Sequence, residues 1–426
     1  MPTPTYSLSE PTKPVGYHQF RIHEARIADQ DYRYVTKPGI VNWNRVDDDV
    51  ELLLTGSDLA AGQRVAVVGC GHGLLGAAIG DQVPGVQLTL LDSNLVAVRA
   101  AEKTMQLYDF AGTRVVLSDG LGGVAGEPFD RVLIDLPKGK ALVRQILCQA
   151  LDVLVPGGRV YLAGGNREGI KSYAALLGDI FGNVSLSKFG GGHRVVTGVK
   201  EVGAPSLLAG HTGYRYQDVT AHDQVYRMAS KPGVFSWERL DDGTRMLLGC
   251  LEVSEADQIL DLGCGSGIVG AVAASMAPTG HAYLVDSDIT AVNAARATIK
   301  ANSLPNATVL TSDIASDIHH LTFDRVATNL PFHVGVGSDH SVALQFIADA
   351  HEVLRDSGVL YLVANLFIKY EPYVTNVFGN CETVAKDTRY KVLRATKQPR
   401  HRISGPRRHP QDRDAISNAR PGKRRG

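Results

Sequence analysis

A glycine-rich turn in the second half of the chain has the composition of a nucleotide-binding loop. The sequence there runs Asp261-Leu262-Gly263-Cys264-Gly265-Ser266-Gly267, between a short apolar run and a stretch of small apolar residues. Glycines at a strand-to-helix turn let the backbone bend and let a ligand approach the free N–H groups of the helix. Gly265, Gly267 and Gly270 also fit the dinucleotide fingerprint G-x-G-x-x-G. The turn alone leaves three alternatives: a nicotinamide dinucleotide, S-adenosylmethionine, or a purely structural turn.

Acidic residues near this turn narrow the choice of ligand. Asp286 ends the next predicted strand, 19 residues after Gly267, where a carboxylate can accept hydrogen bonds from ribose hydroxyls. Asp313 follows the third strand and is placed to face an adenine amino group. Asp261, at the start of the loop, suits a ligand that carries an ammonium and a sulfonium better than one that carries a pyrophosphate. Together the three carboxylates favour S-adenosylmethionine.

The segment Asn329-Leu330-Pro331-Phe332-His333 follows a further predicted strand and has the residue types needed to orient an amine. An exocyclic base nitrogen is a poor nucleophile because its lone pair is delocalised into the ring. The amide oxygen of Asn329 and the stiff carbonyl of Pro331 can accept the two amine hydrogens and direct the lone pair at a methyl group. Phe332 can stack on a base that has left its stack. Taken alone, the segment is also compatible with an ordinary proline turn.

Two further residues are candidates for substrate contact. His333 could line the base pocket, but methyl transfer from a sulfonium needs no strong general base, because the amine proton can leave after the transfer. Phe235 packs either over the cofactor or base, or in the core. His319-His320 lack a spacing suited to zinc, so we expect no metal.

The candidate residues are carried by alternating predicted strands and helices. The sequence predicts strands at 258–262, 282–285, 308–310, 325–327 and 359–364, and helices at 268–276, 291–301 and 342–354. Strands that alternate with helices indicate an α/β fold with a doubly wound, mostly parallel sheet. The candidate residues would then meet at the carboxyl ends of the strands.

The first half of the chain repeats the second half at a constant offset of 194 residues. This offset carries Lys37-Pro38-Gly39 onto Lys231-Pro232-Gly233, Gly69-Cys70-Gly71 onto Gly263-Cys264-Gly265, and Trp43 onto Trp237. Such a long period predicts two copies of one domain rather than a solenoid. We place the copies at residues 1–201 and 207–396, with a linker near 202–206. The second copy has about six extra residues near 333–341.

The Asn-Leu-Pro-Phe segment resembles the Asn/Asp-Pro-Pro-Tyr/Phe signature of the amino-methylating class I methyltransferases, from which Leu330 departs. The wider pattern resembles the bacterial ribosomal-RNA guanine-N2 methyltransferases over roughly residues 15 to 395; it comprises Lys231-Pro232-Gly233, Leu240-Asp241, the two loops described above, Val363-Ala364-Asn365 and Tyr390-Lys391-Val392. The resemblance implies two tandem class I domains, Rossmann-like with seven-stranded sheets, of which the second is active. It also implies S-adenosylmethionine as methyl donor and a guanine N2 amine in rRNA, with 16S preferred, as the target.

The first copy lacks several of the candidate residues. Val67 stands at the position of Asp261, Asp135 at that of Asn329, and Lys138 at that of Phe332. We therefore expect the first copy to be catalytically inactive, to support the second copy and to help it bind RNA.

Other functions are compatible with parts of this pattern. The target could be a 23S guanine, an adenine N6 amine or another amine. A non-catalytic RNA-binding or ribosome-assembly factor would bind no S-adenosylmethionine. A nicotinamide oxidoreductase would bind NADH and would have no use for Asn329.

The distribution of charge is informative although its sum is zero. The 426 residues include 44 Lys and Arg and 44 Asp and Glu, a balance that seems to argue against a nucleic-acid partner. Residues 397–426, however, carry ten basic and two acidic side chains, a net charge of +8, which leaves −8 for the rest. We expect this Pro- and Gly-containing tail to be disordered and to contact rRNA or a ribosomal subunit through phosphates.

Five cysteines and the lack of an apolar leader or membrane span predict a cytoplasmic protein, which we expect to be a monomer.

Overall fold

The computed structural model describes residues 16–207, 213–331 and 341–399. Phe332 and His333 lie outside these ranges, as do residues 400–426. The described part of the chain contains two sheets of seven strands each. The predicted α/β class with two tandem class I domains is thereby confirmed.

The first copy begins with an antiparallel hairpin that precedes its sheet. The elements in chain order are β1 (Arg21–Ile27), β2 (Gln30–Thr36), α1 (Asp48–Gly56), β3 (Arg64–Val68), α2 (Leu74–Gln82), β4 (Gln87–Asp92), α3 (Leu95–Met105), β5 (Thr113–Leu117), β6 (Phe129–Asp135), α4 (Lys140–Val153), β7 (Leu154–Gly165), α5 (Ile170–Phe181), β8 (Ser185–Gly190) and β9 (His193–Val199). The sheet order is β5-β4-β3-β6-β7-β9-β8. Its first five strands are parallel, and β9 and β8 add an antiparallel edge.

The second copy repeats this arrangement element by element. It contains β10 (Arg215–Ala221), β11 (Gln224–Ser230), α6 (Asp242–Cys250), β12 (Gln258–Leu262), α7 (Ile268–Met276), β13 (His281–Asp286), α8 (Ile289–Ala301), β14 (Ala307–Thr311), β15 (Phe323–Asn329), α9 (Ser341–Val353), β16 (Leu354–Asn365), α10 (Glu371–Phe378), β17 (Glu382–Lys386) and β18 (Tyr390–Thr396). The sheet order is β14-β13-β12-β15-β16-β18-β17.

Helices cover both faces of each sheet, so the central strands are buried on both sides. In β12, Ile259, Leu260 and Leu262 have no exposed surface. A strand buried on both faces reads as a continuous apolar run, which explains why the sequence indicates β12 clearly. Strands β13 and β14 lie on one side of β12 and β15 lies on the other, so the strand order reverses between β12 and β15. In parallel sheets, ligands bind in the crevice at the carboxyl ends of the strands at such a point.

The two copies contact each other in a reciprocal manner. The loops that follow β4 and β13 pair with each other: the N–H of Leu95 donates to the carbonyl of Ser287 at 2.8 Å, and that of Ile289 to the carbonyl of Ser93 at 2.9 Å. The second bond is the first one shifted by 194 residues in both partners, with the copies exchanged. The interface is therefore nearly isologous, as between the subunits of a two-fold dimer.

The end of the second copy lies further along the chain than the sequence indicates. Lys397, placed in the disordered tail, is buried, and its ammonium donates to the carbonyl of Leu354 at 2.6 Å. Its backbone N–H also bonds to the carbonyl of Gly358 at 2.9 Å. Lys397 is thus part of the folded domain and is not available for RNA. No helix within the described residues is long and apolar enough to cross a membrane.

Candidate active site

The glycine-rich turn connects β12 to α7 in the conformation that its glycines allow. Gly263, Gly265 and Gly267 all have positive φ, at +77°, +52° and +76°, which side chains with a Cβ rarely adopt. Gly267 is also constrained by space, because a Cβ there would lie 2.7 Å from the Cβ of Ala295. The turn therefore leads directly into α7, whose first N–H groups have no partner within the helix.

Asp286 ends β13 and is tied to the glycine-rich turn. One carboxylate oxygen accepts the N–H of Gly265 at 2.9 Å, and the other accepts that of Asp288 at 3.0 Å. Burial raises the pKa of Asp286, and the backbone bonds oppose that rise. The side chain is thus fixed beside the turn, in the position from which a carboxylate can reach ribose hydroxyls.

Asp261 lies inside β12 and is almost fully buried, with 3% of its surface exposed. Its Oδ2 accepts the N–H of Gly270 from α7 at 2.8 Å. Burial is the main cause that raises the pKa of Asp261 to about 7, with a smaller contribution from Asp286. Near neutral pH the protonated and ionised forms of this carboxyl group are therefore both populated, and a cationic ligand would favour the ionised form.

Asp313 follows β14 and is held by residues of the first copy. Its Oδ1 accepts the hydroxyl of Tyr17 at 3.0 Å, and its Oδ2 accepts the ammonium of Lys37. The segment is joined to the end of β13 as well, because the N–H of Ser312 donates to the carbonyl of Asp286 at 2.9 Å. The sequence predicts Asp313 at the adenine end of the site, and the structure adds partners from the other copy.

Asn329 is the last residue of β15, the strand next to β12. Its amide nitrogen donates to Thr244 Oγ1 at 2.9 Å and to Asp241 Oδ2 at 3.2 Å. Asp241 caps α6 and also accepts the N–H of Thr244 at 2.9 Å. Because the amide hydrogens of Asn329 are directed at α6, its carbonyl oxygen is the atom that can accept a hydrogen from a substrate amine.

The residues around Asn329 explain one departure from the family signature. Leu330, which stands where the signature has a proline, is 1% exposed and packs in the core under α9. Pro331 follows it and is partly exposed. Pro331 is the last described residue before the gap at 332–340. Phe332 and His333 fall outside the described residues.

Phe235 is exposed rather than part of the core. It lies in the loop before α6 and has 57% of its surface accessible. The next residue, Ser236, has a φ of +53°. The core role considered for Phe235 is wrong, and its predicted contact with the cofactor or base stays a prediction.

The sequence did not indicate the residues that support the site. Asp241 and Thr244 fix the amide of Asn329, and Tyr17 and Lys37 hold Asp313. Asp241 did stand out in the repeat, because Asp47-Asp48 returns as Asp241-Asp242, and the start of a helix was a readable signal. The contacts of Lys37 depend on how the two copies dock, for which the sequence has no local signal.

The corresponding crevice in the first copy has a different chemistry. Its walls include Gly69, Gly71, His72 and Asp135. Desolvation in this crevice, followed by the carboxylates of Asp49 and Asp47, raises the pKa of Asp135 to about 8, although the side chain still reaches solvent. A protonated carboxyl group keeps a carbonyl acceptor but adds an O–H donor, whereas the amide nitrogen of Asn329 is held by Thr244 and Asp241.

Metal ligands are not clustered in the described part of the chain. Among residues 16–207, 213–331 and 341–399, no group of three or more His, Cys, Asp and Glu side chains is arranged to hold an ion. His319 and His320 are ring neighbours, and Nδ1 of His319 bonds to the carbonyl of Ser316 at 2.6 Å.

Comparison with known proteins agrees with this geometry. The family model described as "Methyltransferase small domain" matches residues 31–197 and 225–394, one match in each copy. Fold and site thus define a tandem methyltransferase. A ribosomal RNA small subunit methyltransferase C of Pseudomonas entomophila is 32% identical over 294 residues, 67% of this chain and 87% of the relative. The protein of that name from Aliivibrio fischeri is 32% identical over 270 residues, 63% of this chain and 78% of the relative.

A solved structure extends the likeness to both copies. It is a T. thermophilus 16S rRNA N2 methyltransferase in complex with AdoMet and guanosine, 29% identical, with a TM-score of 0.76. The alignment covers 91% of this chain and 100% of the other. The chain belongs to the ribosomal RNA small subunit methyltransferase C family.

Proposed function

We propose that the protein transfers the methyl group of S-adenosylmethionine to the exocyclic N2 amine of a guanine in 16S rRNA. The observation that carries this proposal is the fixed amide of Asn329, which ends β15 and whose nitrogen donates to Asp241 and Thr244, so that its oxygen is the atom left to accept from an amine. The relatives named for small-subunit rRNA methylation, and the solved relative with AdoMet and guanosine, support the same reaction.

The cofactor would lie across the carboxyl ends of β12, β13 and β14. Gly263, Gly265 and Gly267 leave room for its close approach to the backbone. Asp261 would hold the ammonium of its amino-acid end, since a carboxylate with a pKa near 7 ionises when a cation binds beside it. Asp286 would accept hydrogen bonds from the ribose, and Asp313 one from the adenine amine.

The chemistry assigned to the second copy is mainly positioning. Bound S-adenosylmethionine supplies an electrophilic methyl carbon on a sulfonium. The oxygen of Asn329 and the carbonyl of Pro331 would accept the two hydrogens of the guanine N2 amine, so that its lone pair points at that carbon. The N–C bond forms as the C–S bond breaks, the electron pair passes to sulfur, and the amine proton leaves afterwards. Phe332 would stack on the base, and His333 and Phe235 would contact it.

The first copy and the tail would serve substrate binding. We assign catalysis to residues 207–396 and a supporting role to 1–201. Residues 400–426 carry nine of the ten basic side chains of the predicted tail, which suits contact with the phosphates of rRNA or of a ribosomal subunit. We further propose that the protein acts as a monomer in the cytoplasm.

Mapping of guanine methylation in 16S rRNA tests this function. In a strain that lacks the protein, one N2-methylguanine should disappear and should return with the wild-type gene. Asn329→Ala should not restore it but should still bind S-adenosylmethionine, because the substitution removes the amine acceptor and leaves the glycine-rich turn.

The first copy supplies the matched control for this experiment. Asp135→Ala changes the residue that corresponds to Asn329 and should restore methylation. Persistence of every N2-methylguanine in the strain without the protein would show that the assignment to 16S rRNA is wrong. Full complementation by Asn329→Ala would remove that residue from the mechanism.

A further inference from the structure

The adenine end of the proposed cofactor site contains two side chains of the first copy. Lys37 lies in the Lys-Pro-Gly segment after β2 and has no exposed surface. Its ammonium pairs with Oδ2 of Asp313 and lies 4.0 Å from the ring centre of Tyr17. The Tyr17 hydroxyl occupies the other carboxylate oxygen at 3.0 Å, and its ring packs in the core of the second copy. The first copy therefore fixes both oxygens of Asp313.

These contacts change what Asp313 can do. A carboxylate that is 6% exposed loses most of its hydration, and a buried charge without a partner is costly. Lys37 supplies the opposite charge, and Tyr17 sets the orientation of the group. Each carboxylate oxygen has a second lone pair, so Asp313 can still accept a hydrogen from an amine. Its acceptor strength and direction are thus determined by the other copy.

A second ion pair, related to the Lys37 pair by the repeat, offers a comparison between a role in the cofactor site and a role in docking the two copies alone. Lys231, which corresponds to Lys37, pairs with Asp119 of the first copy, which corresponds to Asp313. The two ion pairs hold the same interface from its two sides. Asp119, however, accepts its other bond from Gln145 of its own copy, at 3.3 Å, where Asp313 has Tyr17. Asp313, which belongs to the proposed cofactor site, is a member of the Lys37 pair, whereas Asp119 belongs to the first copy.

We propose that Lys37 and Tyr17 are positioning residues for the cofactor, through which the first copy completes the adenine end of the site in the second. This proposal rests on the adenine role of Asp313 given under the proposed function. It makes recognition of the adenine amine, and not only stability, dependent on contact between the copies.

The relative affinity for S-adenosylhomocysteine, the demethylated cofactor, and for its deaminated analogue tests this proposal in the full-length protein. S-adenosylhomocysteine carries the exocyclic amine, and S-inosylhomocysteine carries an oxygen in its place. Calorimetric titration of the wild-type protein should show about tenfold tighter binding of the adenosyl compound, the effect of one hydrogen bond to a charged acceptor. In Lys37→Met the preference should fall to within about twofold. Lys231→Met should retain the wild-type preference.

A variant that removes fewer atoms tests the proposal even if Lys37→Met does not fold. Tyr17→Phe removes one hydroxyl and keeps the ring, and it should lower the preference severalfold. An unchanged preference in Lys37→Met and Tyr17→Phe would overturn the proposal. Equal losses of preference in Lys37→Met and Lys231→Met would also overturn it, because they would reduce both lysines to interface contacts.

The wild-type titration distinguishes this proposal from the proposed function. Equal binding of the two compounds would refute the adenine role of Asp313, and with it this proposal, while the methyltransferase assignment would stand on the Asn329 test. Failure to bind either compound would refute the methyltransferase assignment itself.

Discussion

Replacement of Asp261 by Asn separates the cost of a buried carboxyl group from its proposed role in binding the cofactor. The side chain is 3% exposed, and its one backbone bond is to Gly270 at 2.8 Å. Asn has nearly the same shape and can still accept that bond. The substitution therefore removes a titratable group and changes little else in β12.

The pKa of Asp261 sets the size of the effect. Burial raises it to about 7, roughly 3 units above the usual value, and each unit corresponds to about 1.4 kcal/mol. Between about pH 4 and 7 the folded protein then binds more protons at this site than the unfolded chain. Stability contributed by this group is therefore present at low pH and is lost as the pH rises to 7, in total about 4 kcal/mol. Asp261→Asn should abolish this loss.

Two measurements check the reasoning. Denaturant unfolding without cofactor should show that Asp261→Asn is more stable than the wild type at pH 8, by up to about 4 kcal/mol, with a difference that shrinks toward pH 4. Titration with S-adenosylmethionine should show binding weakened about 10- to 100-fold, because a charge-assisted bond to the ammonium is lost.

The first copy again offers a control. Val67 stands where the second copy has Asp261, and Val67→Asp should create the same buried carboxyl group without affecting cofactor binding. The same difference in unfolding free energy between Asp261→Asn and the wild type at pH 5 and at pH 8 would refute the electrostatic reasoning. Unchanged affinity for S-adenosylmethionine would refute the role of Asp261 in binding.

Three further changes have defined outcomes. Gly267→Ala should lower the unfolding free energy by about 3 kcal/mol, because it adds backbone strain at a φ of +76° to a 2.7 Å approach to Ala295; Gly265→Ala, with open space around its Cβ position, should cost only about 1 kcal/mol in the same denaturant titration. Asp135→Asn should match the wild-type stability near pH 4 and should exceed it increasingly as the pH rises toward 8, because the native carboxyl group, with a pKa of about 8, stays protonated over the range in which the unfolded chain loses that proton; an equal effect at pH 4 and pH 8 would contradict this. Removal of residues 400–426 should weaken rRNA binding and flatten its salt dependence while leaving the affinity for S-adenosylmethionine unchanged; binding with an unaltered salt slope would exclude the tail as the phosphate contact.

The local elements of the second copy were predictable from the sequence. Strand β12 and helix α7 have the predicted bounds, 258–262 and 268–276. Both depend on short-range signals: an apolar run, a glycine-rich turn and a stretch of small helical residues. The remaining predicted strands are shorter than those observed, because pairing in the sheet extends a strand beyond its apolar centre.

What the sequence could not indicate depends on contacts between distant segments. Asn329 was recognisable as an amine acceptor, but its bonds to Thr244 and Asp241 bridge 85 and 88 residues. The Lys-Pro-Gly repeat was visible, but the contact between Lys37 and Asp313 spans 276 residues and requires both copies to dock. The sequence left Phe235 open between a ligand contact and the core for the same reason, since its exposure depends on what covers the loop and not on its residue type.

The reciprocal interface accounts for which features the two copies share. Lys37 and Asp119 recur as Lys231 and Asp313 because each needs its partner in the other copy, and removal of one member of a buried ion pair costs about 3–5 kcal/mol. Each pair therefore stabilises the contact between the copies independently of any catalytic role.

Residues that serve only the ligand have no such constraint. A carboxyl group at the position of Asp261 is costly to bury unless a cation uses it, and the first copy has Val67 there, with 1% exposure. The proposed role of Asn329 likewise requires an amide beside a substrate amine, and the first copy has Asp135 at that position. The first copy thus keeps the residues that contact the second copy. It lacks the buried polar groups whose desolvation would be offset in free energy only by a bound ligand.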